Sequence, residues 1–257
     1  MHFSTVCLVV ATATLGLAQP PKFDVASLKP TQSPGPSSVV RPSPSGDRYV
    51  GTNASLRLMI QVAYRLKAEQ VVGGPDWVAT DTWDLNAKTD KPSTTEDLRL
   101  MLQDLLAERF HLKLRRDVKE LPAYILSVDK AGAKLIPHQP AHGGDQWIDQ
   151  PQQPFLHVKL SARYSTMDYF AFRLSQLMDR PVVNHTELKG GFDFELTYTR
   201  DLPPNMSPGA MLNGQPIDTS GPTIFGALRQ QLGLKLEAQK APVEIQVIEH
   251  VEKPTEN

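Results

Sequence analysis

Three landmarks occur twice along this chain, in the same order, and that repetition constrains its fold more than any other feature. Arg48-Tyr-Val-Gly-Thr-Asn-Ala-Ser-Leu56 leads into an apolar-periodic helix and then Val71-Val72. His157-Val-Lys-Leu-Ser-Ala-Arg-Tyr-Ser-Thr-Met167 leads into a second helix and then Val182-Val183. Leu56 to Val72 and Met167 to Val183 span the same 16 positions. An aromatic-Asp-apolar strand follows each, Trp83-Asp84-Leu85 and Phe192-Asp193-Phe194. Then comes a further helix and one tripeptide, Leu112-Lys113-Leu114 and Leu234-Lys235-Leu236. The spacing between landmarks is loose, 11 positions from Val72 to Trp83 against 9 from Val183 to Phe192. Helix-hairpin grammar recurs by chance in many α+β chains, but three ordered landmarks favour duplication.

The pattern around these landmarks gives an α+β class. Each half reads β-α-β-β followed by α-β-β, with antiparallel sheets and helices packed on one face. Residues 23–29 open with a strand, and a Pro/Ser/Gly-rich loop covers Pro30 to Asp47. Leu56, Met59, Ile60 and Ala63 share a helical face behind an N-cap at Asn53 or Ser55. Ser93-Thr-Thr-Glu96 has the form of a capping box, with Leu98, Leu102, Leu105, Leu106 and Phe110 inward behind it. Strands are expected at 111–116 and 122–128 in the first half, and at 234–238 and 243–250 in the second. A helix opened by Ser165 and a short one capped by Thr223 and stopped by Gly233 complete the pattern, with Gly190-Gly191 as a hairpin turn.

The first 18 residues contain no Lys, Arg, Asp or Glu, and Gly16-Leu17-Ala18 fits the small-x-small rule for signal-peptidase cleavage before Gln19-Pro20-Pro21. The n-region lacks a fixed positive charge, having only His2. The chain therefore divides into a signal peptide at 1–18, a first half at 19–136, a Pro-rich connection at 137–154 and a second half at 155–257. The halves are expected to form one compact unit, periplasmic or secreted. The single cysteine, Cys7, lies in the signal, so the mature protein has no disulfide and no cysteine nucleophile. Basic and acidic residues are interspersed at a net charge of −1, without the electrostatic footprint of a nucleic-acid or anionic-membrane binder. No later stretch is apolar enough to span a membrane as a helix.

Several segments together resemble a known family. They are Phe23-Asp-Val-Ala-Ser-Leu-Lys-Pro30, Val72-Gly-Gly-Pro-Asp-Trp77, Trp83-Asp-Leu-Asn-Ala-Lys88, Met101-Leu-Gln-Asp-Leu-Leu-Ala-Glu-Arg-Phe110, Arg180-Pro-Val-Val183 and Gln231-Leu-Gly-Leu-Lys-Leu236, with the ending Val247 to Asn257. The family is the soil-associated exported domain of unknown function that is expanded in acidobacteria. The resemblance covers nearly the whole mature chain. It implies export but no activity. In some relatives a similar domain follows a membrane-bound, zinc-peptidase-type sensor region that is not found here.

The motifs of the commoner chemistries are missing: no Gly-x-Ser-x-Gly, no His-Glu-x-x-His and no Gly-rich phosphate loop after a strand. His138, His142, Asp145 and Asp149 have metal-ligating side chains, yet they share a Pro/Gln/Gly-rich segment that reads better as a solvated loop. No cofactor is implied. Asp84 and Asp193 occupy equivalent places and are the tempting carboxylate pair, although a turn-bonding role explains them equally well. Trp77 and Trp147 are the aromatic candidates for ligand contact, Trp83 belonging to the core. The C-terminal strands offer an edge for β-augmentation unless it is paired internally. The reading that follows is a non-catalytic binding or interaction module for an envelope protein, peptide or glycan. The alternatives are an extracytoplasmic hydrolase using carboxylates and a sensory input domain for a membrane partner.

Overall fold

In the computed structural model, which describes residues 21–138, 147–149, 156–203, 206–207, 209–212 and 214–254, short polar residues set where four of the five α-helices begin. The elements of the first half are β1 (Val25–Pro30), β2 (Val39–Pro42), β3 (Arg48–Ser55), α1 (Leu56–Tyr64), β4 (Val71–Gly73), α2 (Trp77–Thr80), β5 (Thr82–Lys88), α3 (Thr95–Arg109) and β6 (Lys113–Val128). There follow β7 (Ile136–His138), β8 (Trp147–Asp149), β9 (His157–Ser165), α4 (Met167–Leu177), β10 (Val182–Asn184) and β11 (Gly191–Thr199). The chain closes with β12 (Met211–Leu212), β13 (Gln215–Pro216), α5 (Ile224–Ala227), a π-helical turn at Leu228–Leu232 and β14 (Leu234–His250). The class is mixed α and β, with mostly antiparallel sheets and five α-helices among the described residues. No helix among these residues is long and apolar enough to cross a membrane.

Ser55 caps α1 by accepting the Leu58 N–H at 3.2 Å, and Thr223 caps α5 by accepting that of Gly226 at 3.3 Å. Two expected caps are displaced by one residue. Thr94, not Ser93, caps α3: its hydroxyl accepts the Asp97 N–H at 3.0 Å and donates to the Asp97 carboxylate at 2.8 Å. Glu96 instead turns to Arg65 and Arg99, and the Ser93 N–H is spent on the Gly46 carbonyl. Thr166, not Ser165, caps α4 by accepting the Tyr169 N–H at 3.2 Å.

Three four-stranded sheets have orders β1-β5-β3-β2, β10-β6-β14-β4 and β7-β11-β9-β8, and β12 and β13 form a two-stranded sheet of their own. Helices α1 and α3 bury Leu56, Met59, Ile60, Leu98, Leu102 and Leu106 against Tyr49, Trp83, Leu85 and Ala87 of the first sheet. Helix α4 buries Met167, Phe170 and Leu174, with Leu228 and Leu232, against Val158, Leu160, Phe194 and Leu196 of the third. The middle sheet differs from expectation in two ways. The strands expected at 111–116 and 122–128 are one continuous strand, β6, and those at 234–238 and 243–250 are one strand, β14. They pair antiparallel from Lys113–His250 to Val128–Leu234, so the intervening polar residues continue the ladder instead of looping out. The short flanking pairs, β10 on β6 and β4 on β14, are parallel.

Most pairings in one half have a counterpart in the other, the β12–β13 pair being the exception. Strand β4 pairs with β14 of the second half, while β10 pairs with β6 of the first. Strands β3 and β5 share an antiparallel ladder with a bulge, and so do β9 and β11. The bulges hold Asn53 at φ 50° and Tyr164 at φ 46°, two left-handed residues each placed two positions before a helix cap. One end of the β6–β14 ribbon (Leu114, Ile248) packs into the first core and the other end (Leu126, Leu234, Leu236) into the second. The loop expected from Pro30 to Asp47 is interrupted by β2, which forms the outer edge beside β3. Gly190-Gly191 is not a hairpin turn, since β10 and β11 lie in different sheets. Gly191 instead passes under the Tyr164 ring, where a Cβ would lie 2.2 Å from a ring carbon.

Candidate functional site

Asp84 and Asp193 are placed alike but do not meet. Asp84 lies on β5, where its Oδ1 accepts the backbone N–H of Asn53 at 2.9 Å and the Thr31 hydroxyl at 3.1 Å. Asp193 lies on β11 in another sheet, where its Oδ1 accepts the N–H of Tyr164 at 2.9 Å and Oδ2 faces His138 Nδ1 at 2.6 Å. Each carboxylate thus holds the N–H of the left-handed residue that turns a strand into a capped helix. This is the turn-bonding role, and it requires an acceptor rather than a proton donor. Asp84→Ala is expected to lower stability by about 1–3 kcal/mol, the range for leaving a donor unpaired, while Asp84→Asn keeps an acceptor and most of that stability. Urea unfolding of the two variants checks this, equal losses contradicting it.

Trp77 forms the outer wall of the first core. Its ring stacks on Phe110 at 6.4 Å and meets Trp83 edge-on at 5.9 Å, while Lys253 Nζ lies 5.7 Å above it. Trp147 begins β8, paired with Arg163 of β9, but its side chain falls outside the described residues. So do His142 and Asp145; His138 is bound to Asp193. Among the described residues no three His, Cys, Asp or Glu side chains come together as a metal would require. The C-terminal edge considered for β-augmentation is paired with β6 along its length, and β4 covers its other side at Gln246–Ile248.

The residues that do converge on a concave site are different ones. A cavity of about 450 Å³ opens between the C-terminal end of α4, the end of β11 and the start of α5. Its apolar wall is Leu177, Met178, Ile224 and Phe225, with the aromatic rings of Tyr124 and Tyr198. Phe225 remains 40 % exposed although it is large and apolar, and its ring meets Tyr124 edge-on at 5.6 Å. The Tyr124 hydroxyl donates to Asp179 at 3.1 Å, and the Arg180 guanidinium lies 5.6 Å over the Tyr124 ring while its Nε donates to Asp179 at 3.2 Å. Arg200 and Asp201 add charge at the opposite rim. Burial raises the Tyr124 phenol above its ordinary value, reinforced by Asp179, and burial likewise raises that of Tyr198. Both phenols therefore stay protonated through the neutral range, fitted to donate hydrogen bonds rather than to abstract protons.

The α4 wall is fixed from the other half of the chain. Lys67 Nζ donates to the carbonyls of Ser175 at 2.8 Å and Met178 at 2.7 Å, a cation on the carbonyl end of a helix. The Val182 N–H donates to Ser175 Oγ at 2.8 Å and the Tyr124 N–H to the Pro181 carbonyl at 2.8 Å, so α4, β10 and β6 meet rigidly beneath the cavity.

A family model described as a protein of unknown function, DUF3738, matches residues 57–251, from α1 to just past β14. The chain belongs to the DUF3738 family. No curated protein and no solved structure matches it. The matched span contains every residue that lines the 450 Å³ cavity of this DUF3738 protein. A second cavity of about 340 Å³ lies at the seam between the halves, where Arg65, Asp168 and Glu244 approach Val182 and Val243. Those charges already have partners: Arg65 binds Glu96 at 2.6 Å and lies 4.8 Å over Tyr169, Asp168 accepts from Asn184 at 2.7 Å, and Glu244 pairs with Arg116. The sequence pointed to neither cavity. The only signal for the first was Thr223-Ile-Phe225, which reads from sequence as an ordinary cap followed by core residues.

Proposed function

We propose that this protein is an exported, non-catalytic binding module whose ligand inserts an aromatic or long aliphatic side chain into the cavity between α4, β11 and α5. The observation that carries this reading is the half-exposed Phe225 ring, set against Tyr124 in an apolar cavity whose rim is charged. Cavities of ~300–1,000 Å³ with apolar walls and a few placed polar groups are the usual form of small-ligand sites. A peptide or protein partner suits this chemistry better than a glycan, because sugars stack on open aromatic faces and Arg180 lies over the Tyr124 ring. Export is favoured by the charge-free, apolar first 18 residues ending in Gly16-Leu17-Ala18.

We also read the chain as a duplicated unit in which the second copy has been opened to make this site. The corresponding caps, left-handed residues and parallel pairings described above support that origin. Helix α3 has 15 residues, whereas α5 and its π-helical turn together occupy only Ile224–Leu232. Both are followed by a left-handed residue, His111 at φ 47° and Gly233 at φ 64°, and then by a leucine at or just before the start of a long strand. Aligned at that end, α5 lacks the first turns with which α3 covers its half, and the cavity lies beside this shortened start.

Calorimetric titration of the purified protein with N-acetyl-tryptophanamide tests the site. The wild type is expected to bind and Phe225→Ala to bind at least about fivefold more weakly, as loss of an aromatic contact worth ~1 kcal/mol or more requires. Equal affinities in the two proteins would remove the cavity from the account.

A further inference from the structure

The long strand β6 is paired along one side only. Strand β14 covers one edge from Lys113 to Val128, but on the other edge β10 reaches only Tyr124 to Leu126. Before β10, Arg115 to Glu120 are exposed at every residue, and Val118 in their midst is 60 % exposed although apolar. The ladder decides which backbone groups face outward there. On the β10 side the Tyr124 N–H donates to the Pro181 carbonyl and the Leu126 carbonyl accepts the His185 N–H, both at 2.8 Å. The β6–β14 register runs unbroken from Val128 to Leu114. Every second residue back from Tyr124 therefore turns the same way, which includes Glu120, Val118 and Arg116. The Val118 N–H agrees, because it donates to the Asp117 carboxylate of its own strand at 2.8 Å. An open ladder of this kind is a template for another strand.

We propose that a second copy of this chain pairs antiparallel with this edge, the two β6 strands meeting about a two-fold axis at Val118. Charges usually keep edge strands apart; here their order is its own complement. With Val118 facing Val118, Arg116 of each copy lies opposite Glu120 of the other, and Asp117 opposite Lys119. Arg115 then faces Leu121, so no like charges meet. Moving the axis by one residue sets Asp117 against Asp117 or Lys119 against Lys119, and moving it by two sets Arg116 against Arg116 or Glu120 against Glu120. Facing opposite charges stabilise a sheet and facing like charges destabilise it, so the pattern selects one register. Parity fits that register, since Arg116, Val118 and Glu120 all turn outward and each facing pair can exchange both N–H···O bonds. The window also closes there: Pro122, which has no N–H, faces Leu114, and position 124, where β10 begins to pair, faces position 112, just outside β6. The ion pairs now on the strand, Arg115 with Asp117 and Glu249, and Arg116 with Glu244, are exposed and cost little to exchange. Lys119 and Glu120 have no ion pair among the described residues. The contact is isologous, each copy giving the same patch.

Sedimentation equilibrium of the full chain tests the pairing. The contact is short, so association should be weak and should grow with concentration up to about 1 mM. Asp117→Lys sets lysines opposite one another at two symmetry-related places and should weaken the dimer at least about fivefold. Adding Lys119→Asp restores facing opposite charges and should return the dimer to within about twofold of the wild type. Val118→Pro removes an outward N–H while sparing the β14 ladder, and should abolish association. The charge swap keeps the test decisive if proline disturbs the strand. A wild type that stays monomeric at about 1 mM, a dimer indifferent to Asp117→Lys, or a swap that fails to restore it would overturn the proposal. The cavity reading is tested separately, since no residue of β6 before Tyr124 lines that cavity.

Discussion

Phe110→Ala is expected to lower the melting temperature by about 10 °C. The Phe110 ring is fully buried at the end of α3, with Trp83 edge-on at 5.1 Å and Trp77 stacked at 6.4 Å, and its carbonyl accepts the Glu252 N–H at 2.8 Å. Truncating a buried phenylalanine costs about 3–5 kcal/mol, and for a chain of this size each kcal/mol moves the midpoint by roughly 2–4 °C. The loss should appear in the near-ultraviolet circular dichroism of the two tryptophans at the same temperature as in the far-ultraviolet signal. A shift of only a degree or two would mean that these three rings do not form a closed cluster.

Gly233→Ala is expected to cost about 2–4 kcal/mol, although the change adds one methyl group. Gly233 ends the helical turn at φ 64°, and its neighbours hold the turn Asp129–Lys134 through Asp129 N–H to its own carbonyl at 2.9 Å and Lys134 N–H to the Leu232 carbonyl at 2.8 Å. A Cβ at this position would lie 2.0 Å from the Gly132 carbonyl oxygen and 3.0 Å from the Gly132 carbonyl carbon. Both are backbone atoms, so the turn itself has to move, adding an overpacking cost to the strain of a left-handed alanine. His111 separates the two effects, because it holds φ 47° at the corresponding place in the first half with an exposed side chain. His111→Gly should change stability by no more than about 1 kcal/mol. Urea midpoints of the two variants measure this, and a Gly233→Ala loss as small as the His111→Gly change would contradict the close approach.

The elements that the sequence made legible are those whose signal is local. Ser55 and Thr223 are capping residues followed by apolar periodicity, and Gly233 stops a helix because no side chain is needed there, so these boundaries follow from short-range chemistry. The ribbon β6–β14 was not legible as continuous strands. Its middle residues, such as Asp117, Lys119 and Lys240, are polar because that part of the ribbon is exposed, and polar residues between apolar stretches read as loops. The parallel pairs of β4 and β10 join residues more than 50 positions apart, and three-residue strands carry no period to announce them. The two aspartates stood out because they recur, yet recurrence reflects the two bulges they hold. The cavity went unnoticed for the opposite reason. It lies at the short start of α5, where an ordinary cap and apolar residues leave no motif.

The central claim is that the α4–β11–α5 cavity is the binding site, and the most direct measurement is a backbone-amide NMR map during titration with N-acetyl-tryptophanamide. The account predicts shifts clustered at Leu177–Asp179, Tyr198–Asp201, Ile224–Phe225 and Tyr124, weakened in Phe225→Ala. Shifts confined to the seam around Arg65, Gln70 and Val243, or an absence of shifts at saturating probe, would contradict it.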